Sequence, residues 1–473
     1  MSEATVVGSG PNGLACAVAL ARAGVRVTVL EAAETIGGGV RTAELTVPGL
    51  IHDLCSATHP MAAASPFLQS LGLEEHGLEW RWPEVDLAHP LDDGSAATMV
   101  RSLEETAAGL GPDGRVWKRL FGSTSAHFDA LADDMLGPVI HLPRHPILLA
   151  RLGLPALMPV TVLTRRWQTP GARALFGGVA AHSFSPLTQT LSSAVGMALT
   201  TACHGSGWPV AAGGSQSIAD ALAADLREHG GSIETGVRVR SLAELGSADV
   251  VAFDLAPGAA AEIAGDRLPG RTARAYQRYK HGPGAFKVDL AVEGGIPWTA
   301  DACRRAGTVH AIGSFEELVA AEREVNNGHM PPRPFVLVGQ QYLADPSRSA
   351  GNVHPIWAYA HVPSGYDGDG EKVVIDQIER FAPGLRERIV ATASRSPAEL
   401  EAGNPNYISG DIICGANTPF QTVVRPRLAR DPYSTGSPGL FICSAATPPG
   451  GGVHGMSGFH AAQSALRYLA RTT

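Results

Sequence analysis

The chain has 473 residues, of which 44% are hydrophobic and 17% are charged, and its formal net charge at neutral pH is −8. This length and composition are typical of a globular protein of roughly two to three domains and exclude a disordered chain. The negative charge, without any block of Lys and Arg, argues against a nucleic-acid-binding surface.

The first predicted unit is a strand, a glycine-rich turn, a helix and a second strand. An apolar strand at residues 5–7 leads into the sequence GSGPNG, and an Ala- and Leu-rich helix follows at residues 14–23. A β-branched strand at residues 25–30 then ends at Glu31. This βαβ unit predicts a dinucleotide-binding site, although a tight turn without a ligand is the alternative.

Each residue type in this unit suits a part of a dinucleotide. Gly8 permits the tight turn, Gly10 lets a pyrophosphate approach the backbone, and Gly13 lets the helix pack close to the strand. The helix N-terminus presents free N–H groups to the phosphates. Glu31 is placed to accept hydrogen bonds from a ribose hydroxyl.

A second glycine turn follows Glu31 and favours FAD over NAD. The sequence IGGGVRT spans residues 36–42 and contains Arg41, whose charge suits a pyrophosphate. The alternative for Arg41 is a surface salt bridge.

A polar patch is predicted in the loop that we expect to pass the flavin ring. It contains His52, Asp53, Ser56 and His59. His59 is a candidate catalytic residue, whereas Asp53 is expected to be a turn or cap residue.

The segment 136–167 is apolar, rich in proline and flanked by arginines. Three interpretations stay open: a substrate channel, a surface that contacts a membrane, or an ordinary domain core. No signal peptide and no uninterrupted apolar run of membrane-spanning length is evident, so we expect a cytoplasmic protein, with peripheral membrane contact as the alternative.

A helix at residues 218–229 and strands at 232–239 and 248–255 predict a second βα-rich block in mid-chain. This block suggests that the first domain is discontinuous. The six cysteines are scattered without short metal-ligand spacing, so no metal site and no disulfide-reductase mechanism are predicted.

The C-terminal stretch repeats the strand, glycine turn and helix pattern. A strand at residues 439–446 leads through TPPGGGVHGMSG into a helix at residues 457–470. The N–H groups of such a turn suit the ribityl chain and ring of a flavin. His454, inside the turn, is either a catalytic base or orienting residue or a structural histidine.

The sequences VVGSGPNGLACAVALARAGVRVTVLEA, IGGGVRTAELTVPGLIHDLCSATHP and GLFICSAATPPGGGVHGMSGFHAAQSAL resemble the phytoene desaturase-like FAD-dependent oxidoreductases. Within that family they resemble the branch named for pyridine nucleotide-disulfide oxidoreductase domain-containing proteins. The resemblance is strong at both ends of the chain and general in between. Two departures, the short connection 241–247 and Ser444 in place of an acid, are expected to affect FAD affinity.

The resemblance implies a set of FAD-binding residues at the two ends of the chain and in the mid-chain block. They are Gly8, Gly10, Pro11, Asn12, Gly13, Glu31, Ala32, Gly38, Gly39, Arg41, Thr42, Val237, Ser444, Ala445, Gly451, Gly452, Val453 and Met456. The catalytic candidates are His454 and His59.

The predicted fold is α/β, with a discontinuous Rossmann-like FAD-binding domain and an inserted α+β substrate domain, as in amine oxidases and phytoene desaturases. The FAD-binding domain is predicted at 1–60, 205–270 and 410–473, and the substrate-binding domain at 61–204 and 271–409. The expected activity is hydride transfer from a small apolar substrate (an isoprenoid, lipid or cyclic metabolite) to flavin N5. Alternatives are an oxygen-using amine oxidase-like enzyme and a flavin-binding interaction protein. The electron acceptor, with oxygen or a quinone as candidates, and the oligomeric state stay open.

Overall fold

The computed structural model describes residues 2–138 and 140–472. Its strands, in chain order, are β1 (Glu3–Val7), β2 (Arg26–Leu30), β3 (Thr42–Glu44), β4 (Ile51–Asp53), β5 (Trp80–Arg81), β6 (Val85–Pro90), β7 (Ala96–Met99), β8 (Val210–Ala211), β9 (Ser232–Glu234), β10 (Val250–Phe253), β11 (Gly284–Glu293), β12 (Ala306–Ala311), β13 (Val336–Gly339), β14 (Val353–Val362), β15 (Ile389–Arg395) and β16 (Leu440–Ile442). Its α-helices are α1 (Pro11–Arg22), α2 (Pro60–Ala63), α3 (Pro66–Gln69), α4 (Leu103–Gly109), α5 (Gly114–Ala126), α6 (Phe128–Met135), α7 (Pro146–Ala156), α8 (Val160–Leu163), α9 (Pro170–Ala181), α10 (Ser193–Ser206), α11 (Gln216–Glu228), α12 (Pro257–Ala264), α13 (Gly270–Gln277), α14 (Asp301–Arg305), α15 (Phe315–Asn326), α16 (Gly370–Glu379), α17 (Pro397–Gly403), α18 (Pro419–Val423) and α19 (Met456–Thr472).

Both ends of the chain meet in a parallel sheet with the strand order β16-β10-β1-β2-β9. The central strand β1 pairs with β10 on one side and with β2 on the other. Helices cover this sheet, so its inner strands are apolar, and Val6, Val29 and Ala252 are fully buried. The α/β class is confirmed, and the sheet draws its strands from three separate parts of the sequence. The domain boundaries themselves stay a prediction.

The mid-chain block differs from the sequence prediction in one strand. The strand expected at 232–239 ends at Glu234, because the chain turns at Gly236 and crosses the end of β2. There the Val237 N–H donates a hydrogen bond of 2.8 Å to the Glu31 carbonyl oxygen. This crossing brings Val237 beside the acid that ends β2.

A second sheet, with the order β15-β11-β14-β13-β12-β6-β7, forms the framework of the inserted part. Strands β11 and β14 pair antiparallel over ten residues. One face of β11 contributes Val288, Leu290 and Val292 to an apolar core against α16. The opposite face carries the buried ion pair of Lys287 and Asp289.

A helical layer of α5, α7, α9 and α10 packs beside this sheet. Its core is aromatic, and the rings of Trp117 and Trp167 lie 5.4 Å apart. Phe121 and Phe176 complete this cluster. The helical layer and the two sheets together enclose the cavity described below.

Candidate active site

One cavity of about 730 Å³ begins at the carboxyl ends of β1, β2 and β10. Ligands of α/β proteins bind at this edge, where the strand order reverses. The cavity continues past the C-terminal glycine turn to a wall formed by α7, α10 and β14. Its two ends therefore differ in chemistry, with glycine turns at one end and an apolar wall at the other.

Most residues predicted to hold a cofactor line this cavity. They are Gly8, Gly10, Pro11, Asn12, Glu31, Ala32, Gly38, Gly39, Arg41, Val237, Ser444, Ala445, Gly451, Gly452 and Val453. Gly13, Thr42 and Met456 are not among the residues that line it, and cofactor contact at these three positions stays a prediction. The Gly13 position packs α1 against β1, the Thr42 hydroxyl donates to Asp53, and the Met456 side chain lies in the core beneath α19.

The turn between β1 and α1 and the first turn of α1 leave no space for a side chain at Gly10 or Gly13. A Cβ atom at Gly10 would lie 2.5 Å from an Asp254 carboxylate oxygen, and one at Gly13 would lie 2.2 Å from the Gly8 carbonyl oxygen. Gly10 caps α1 without a side-chain hydrogen bond of its own, and the Asp254 carboxylate accepts the Gly13 N–H in the first turn of the helix. A helix N-terminus bordered by glycines fits a phosphate group.

Glu31 is fixed in place at the end of β2. One carboxylate oxygen accepts the Ser9 N–H at 2.9 Å, and the other accepts the Ala33 N–H at 2.8 Å. The oxygen that accepts the Ser9 N–H also accepts the Ser9 hydroxyl, whereas the oxygen that accepts the Ala33 N–H has one donor and keeps capacity for a ligand hydroxyl. This geometry fits the predicted ribose contact.

Arg41 carries a charge that the protein does not neutralise. Its guanidinium donates to the carbonyl oxygens of Gly38 at 2.9 Å and Gly403 at 2.7 Å. Among the described residues, no carboxylate lies within salt-bridge distance of it, so the surface salt bridge weighed from the sequence is not observed. An uncompensated cation beside the cavity fits an anionic pyrophosphate.

His454 is buried in the C-terminal glycine turn with both ring nitrogens bonded to backbone. Its Nδ1 accepts the Met456 N–H at 3.1 Å, and its Nε2 therefore donates to the Gly450 carbonyl oxygen at 3.2 Å. Burial lowers the pKa of His454 to about 4. These contacts favour the structural interpretation over that of a catalytic base.

His59 also lines the cavity, and one of its two ring nitrogens has a described partner. Its Nε2 lies 2.8 Å from the Ser215 hydroxyl, which itself donates to the Ser56 carbonyl oxygen. Nε2 is therefore the protonated nitrogen, and Nδ1 is buried without a partner among the described residues. Burial lowers the pKa of His59 to about 4, which keeps the ring neutral.

Comparison with known proteins found a matching family model, similar proteins and similar folds. Residues 6–71 match the family model of the NAD(P)-binding Rossmann-like domain. The chain is 24% identical over 564 aligned positions to pyridine nucleotide-disulfide oxidoreductase domain-containing protein 2 of Rattus norvegicus, and the alignment covers 99% of this chain and 94% of the rat protein. It is also 32% identical over 108 residues to one of the subunits of limonene dehydrogenase from Castellaniella defragrans, and this match covers 23% of this chain and 19% of the limonene dehydrogenase chain.

The fold resembles a solved structure of putrescine oxidase bound to putrescine, with a TM-score of 0.61 and 18% identity over 99% of both chains. The chain has the amine oxidase-like fold of FAD-dependent oxidoreductases. The predicted fold is thereby confirmed, and the names of the relatives support the predicted oxidoreductase.

Sequence reasoning missed Asp254, which lies behind the glycine turn of this flavoenzyme fold. Its carboxylate accepts the Gly13 N–H at 3.0 Å. Burial raises the pKa of Asp254 to about 7, and the nearby Glu31 carboxylate adds to the rise. Its position directly after β10, at the carboxyl edge of the predicted sheet, is the signal that could have identified it.

Asp53 is not the turn or cap residue expected from the sequence. It lies in β4 and forms a buried ion pair of 2.5 Å with Arg348, which also pairs with Asp345. Burial alone would raise the pKa of Asp53, but the Arg348 charge and several hydrogen bonds outweigh burial and lower it. This network joins the N-terminal loop to the inserted part.

The far wall of the cavity in the flavoenzyme fold is apolar and aromatic. It is formed by Leu136, Leu152, Ala156, Phe184, Ala198, Leu199, Trp208, Leu337, Trp357 and Tyr359. The low overall aromatic content gave no sign of this, because composition does not report local concentration. One polar ring, His182, interrupts the wall; its Nε2 lies 3.0 Å from His310 Nε2, and burial lowers its pKa to about 3.

Proposed function

We propose that the chain binds FAD and dehydrogenates an apolar organic substrate. The observation that carries this proposal is one continuous cavity, which extends from Glu31 and Arg41 at one end to the apolar wall around Phe184 at the other. A bound flavin supplies the capacity to accept a hydride at N5 from a substrate carbon.

The residues of this chain have positioning roles in the proposal. The turn from Gly8 to Asn12 receives the pyrophosphate, Glu31 accepts a ribose hydroxyl and Arg41 offsets the phosphate charge. The apolar wall excludes water and orients the substrate by its shape. His59, neutral and with one partner-free nitrogen among the described residues, is the candidate proton acceptor in this proposal.

The charges along the cavity favour a substrate without a positive charge. Glu31 and Asp254 are the acidic residues that line it in the described chain, and both lie at the glycine turn. A cationic amine at the apolar wall would therefore have no carboxylate to pair with. The name of the matched limonene dehydrogenase agrees with an apolar substrate. The similarity to putrescine oxidase keeps an oxygen-using amine oxidase as the second candidate.

The test is anaerobic reduction of the bound flavin by a panel of substrates. The purified protein should be yellow and should release FAD on denaturation. Limonene, a linear isoprenoid and a fatty acyl ester represent the apolar class, and putrescine represents the amines. Bleaching by an apolar compound is expected, whereas bleaching by putrescine alone would support the amine oxidase. A flavin-loaded protein that no compound reduces would support the interaction-protein alternative, and a colourless protein would refute FAD binding.

We also propose that the surface around α7, which we call the α7 surface, rests on an anionic membrane. Its large apolar side chains are exposed: Ile140, Leu142, Ile147, Leu154, Leu157 and Val162. No Asp or Glu occurs between Asp134 and Asp220 in a chain with 45 acidic residues, whereas the α7 surface carries Arg144, Arg151, Arg165 and Arg166. Apolar side chains beside arginines suit a bilayer with anionic headgroups.

The inner side of α7 explains why a membrane would matter for the reaction. Leu152 and Ala156 line the cavity, so a single helix separates the apolar wall from the α7 surface. No single described helix is long and apolar enough to cross a bilayer, and the pair of helical segments that meets the length and composition together is bent by 97°. In this proposal the helix pair lies on the bilayer surface, from which a dissolved apolar substrate would reach the cavity.

Cosedimentation with phosphatidylserine-containing vesicles tests the membrane proposal. A Leu142→Ser, Ile147→Ser, Leu154→Ser variant removes side chains that are 95%, 70% and 67% exposed. Burial of each one stabilises by about 1.5–3 kcal/mol, so vesicle binding should fall by more than about tenfold. The control Phe420→Ser, Leu428→Ser removes similarly exposed side chains elsewhere and should still pellet. Equal loss in both variants, or no pelleting of wild type, would refute the proposal.

A further inference from the structure

Arg425 is a buried cation at the cavity whose contacts with the protein are all neutral. Its side chain is 4% exposed, and the residue lines the cavity. Its Nε donates to the Gln421 carbonyl oxygen at 3.3 Å, and its NH2 group donates to the Asn417 side-chain oxygen at 2.7 Å. Within residues 2–138 and 140–472, no carboxylate lies within salt-bridge distance of Arg425.

The remaining nitrogen of the guanidinium, NH1, is directed at the C-terminal glycine turn. It has no hydrogen-bond acceptor in the described chain. A Cβ atom at Gly450 would lie 2.9 Å from NH1, so the absence of a side chain there leaves space around the group. A buried charge is costly unless an opposite charge pairs with it. An anion from outside the described chain would therefore stabilise the buried Arg425 charge.

We propose that Arg425 binds an oxyanion, such as a carboxylate, on the substrate of the flavin reaction. This inference rests on the proposed function, and it narrows the substrate class to amphiphiles with an apolar body and one acidic group. Two N–H groups along one edge of the planar guanidinium suit the two oxygens of a carboxylate or phosphate.

The surroundings of Arg425 connect it to the substrate wall. Asn417, which holds its NH2 group, donates to the Ser183 carbonyl oxygen at 3.0 Å. Ser183 precedes Phe184 of the apolar wall. Arg41, by contrast, lies beside the first glycine turns and is matched to the pyrophosphate. The two arginines therefore meet anions at different places along the cavity, although the flavin pyrimidine ring is a second candidate source of negative charge near Arg425.

Isothermal titration calorimetry of the FAD-loaded protein tests this subsite without turnover. The probes are decanoate and its uncharged analogue decanamide. Wild type should bind decanoate more tightly, and Arg425→Met should weaken decanoate binding by about 10- to 100-fold, since a hydrogen bond to a charged group is lost. Decanamide binding should stay within about twofold, which also shows that the variant is folded. Arg425→Lys keeps the charge and should retain part of the preference for decanoate.

Two results would overturn the proposal. One is equal binding of decanoate and decanamide by wild type. The other is an Arg425→Met variant that keeps its decanoate preference but shows a lowered flavin midpoint potential, since this would place the Arg425 charge on the flavin. A protein that never binds FAD would refute the proposed function, and calorimetry on that protein would still report whether decanoate binds at Arg425.

Discussion

Replacement of Asp254 by Asn should make the stability of the protein less dependent on pH. The Asp254 carboxyl is buried behind the glycine turn, and burial raises its pKa from 3.8 to about 7. The unfolded chain releases this proton near its ordinary pKa, whereas the folded chain retains it. Asp254 therefore contributes stability that is complete below pH 3.8 and is lost as the pH rises through about 7.

The size of the effect follows from the separation of the two pKa values. Each pH unit between them corresponds to about 1.4 kcal/mol, so the folded wild type loses roughly 3 kcal/mol between pH 5 and pH 7. An Asn side chain accepts the Gly13 N–H and stays neutral at every pH. The free energy of unfolding of Asp254→Asn, minus that of wild type, should therefore rise by roughly 3 kcal/mol between pH 5 and pH 8.

Urea unfolding at pH 5, 6, 7 and 8 measures this difference. Asp86→Asn is a matched control, because burial raises the pKa of Asp86 to about 6 at a site next to Trp208. The difference in the free energy of unfolding between Asp86→Asn and wild type should level off near pH 6, about one pH unit below the corresponding point for Asp254→Asn. A pH-independent difference for Asp254→Asn would refute the argument that a buried proton stabilises the glycine turn.

Three further changes test other parts of the site. Gly10→Ala places a methyl group 2.5 Å from an Asp254 carboxylate oxygen, so FAD retention after dialysis should fall sharply with little change in far-ultraviolet circular dichroism. His454→Asn keeps a side-chain acceptor for the Met456 N–H but loses the hydrogen bond to the Gly450 carbonyl oxygen. The free energy of unfolding should fall by about 1 kcal/mol, which a lower melting temperature would report. The pH profile of flavin reduction between pH 5 and pH 8 should not change. Arg348→Met leaves the buried Asp53 carboxylate without its ion-pair partner, while Asp345 keeps its pair with Arg81. The variant should cost about 3–5 kcal/mol in urea unfolding, whereas a cost below about 1 kcal/mol would contradict the buried network.

The sequence predicted the parts of the site whose signals are local. A strand, a glycine turn and a helix are encoded by neighbouring residues, so the turn at Gly10 and the acid Glu31 were found from spacing alone. Asp254 and Arg348 escaped because their partners lie far away in sequence. The Gly13 N–H and the Asp254 carboxylate are 241 positions apart, and Asp53 and Arg348 are 295 apart. Such pairs leave no periodic pattern in one sequence.

The two uncompensated arginines, Arg41 and Arg425, predict which substrates the cavity should prefer. In the proposed FAD complex, the pyrophosphate would pair with Arg41, which lies beside the first glycine turns. If Arg425 also met that pyrophosphate, its guanidinium would have to reach the same turns, but it is held by Asn417 against the C-terminal turn. A neutral hydrocarbon at the apolar wall would leave the Arg425 charge buried and unpaired. The cavity should therefore prefer an amphiphile over a pure hydrocarbon of equal length, because only the amphiphile offsets that desolvation cost.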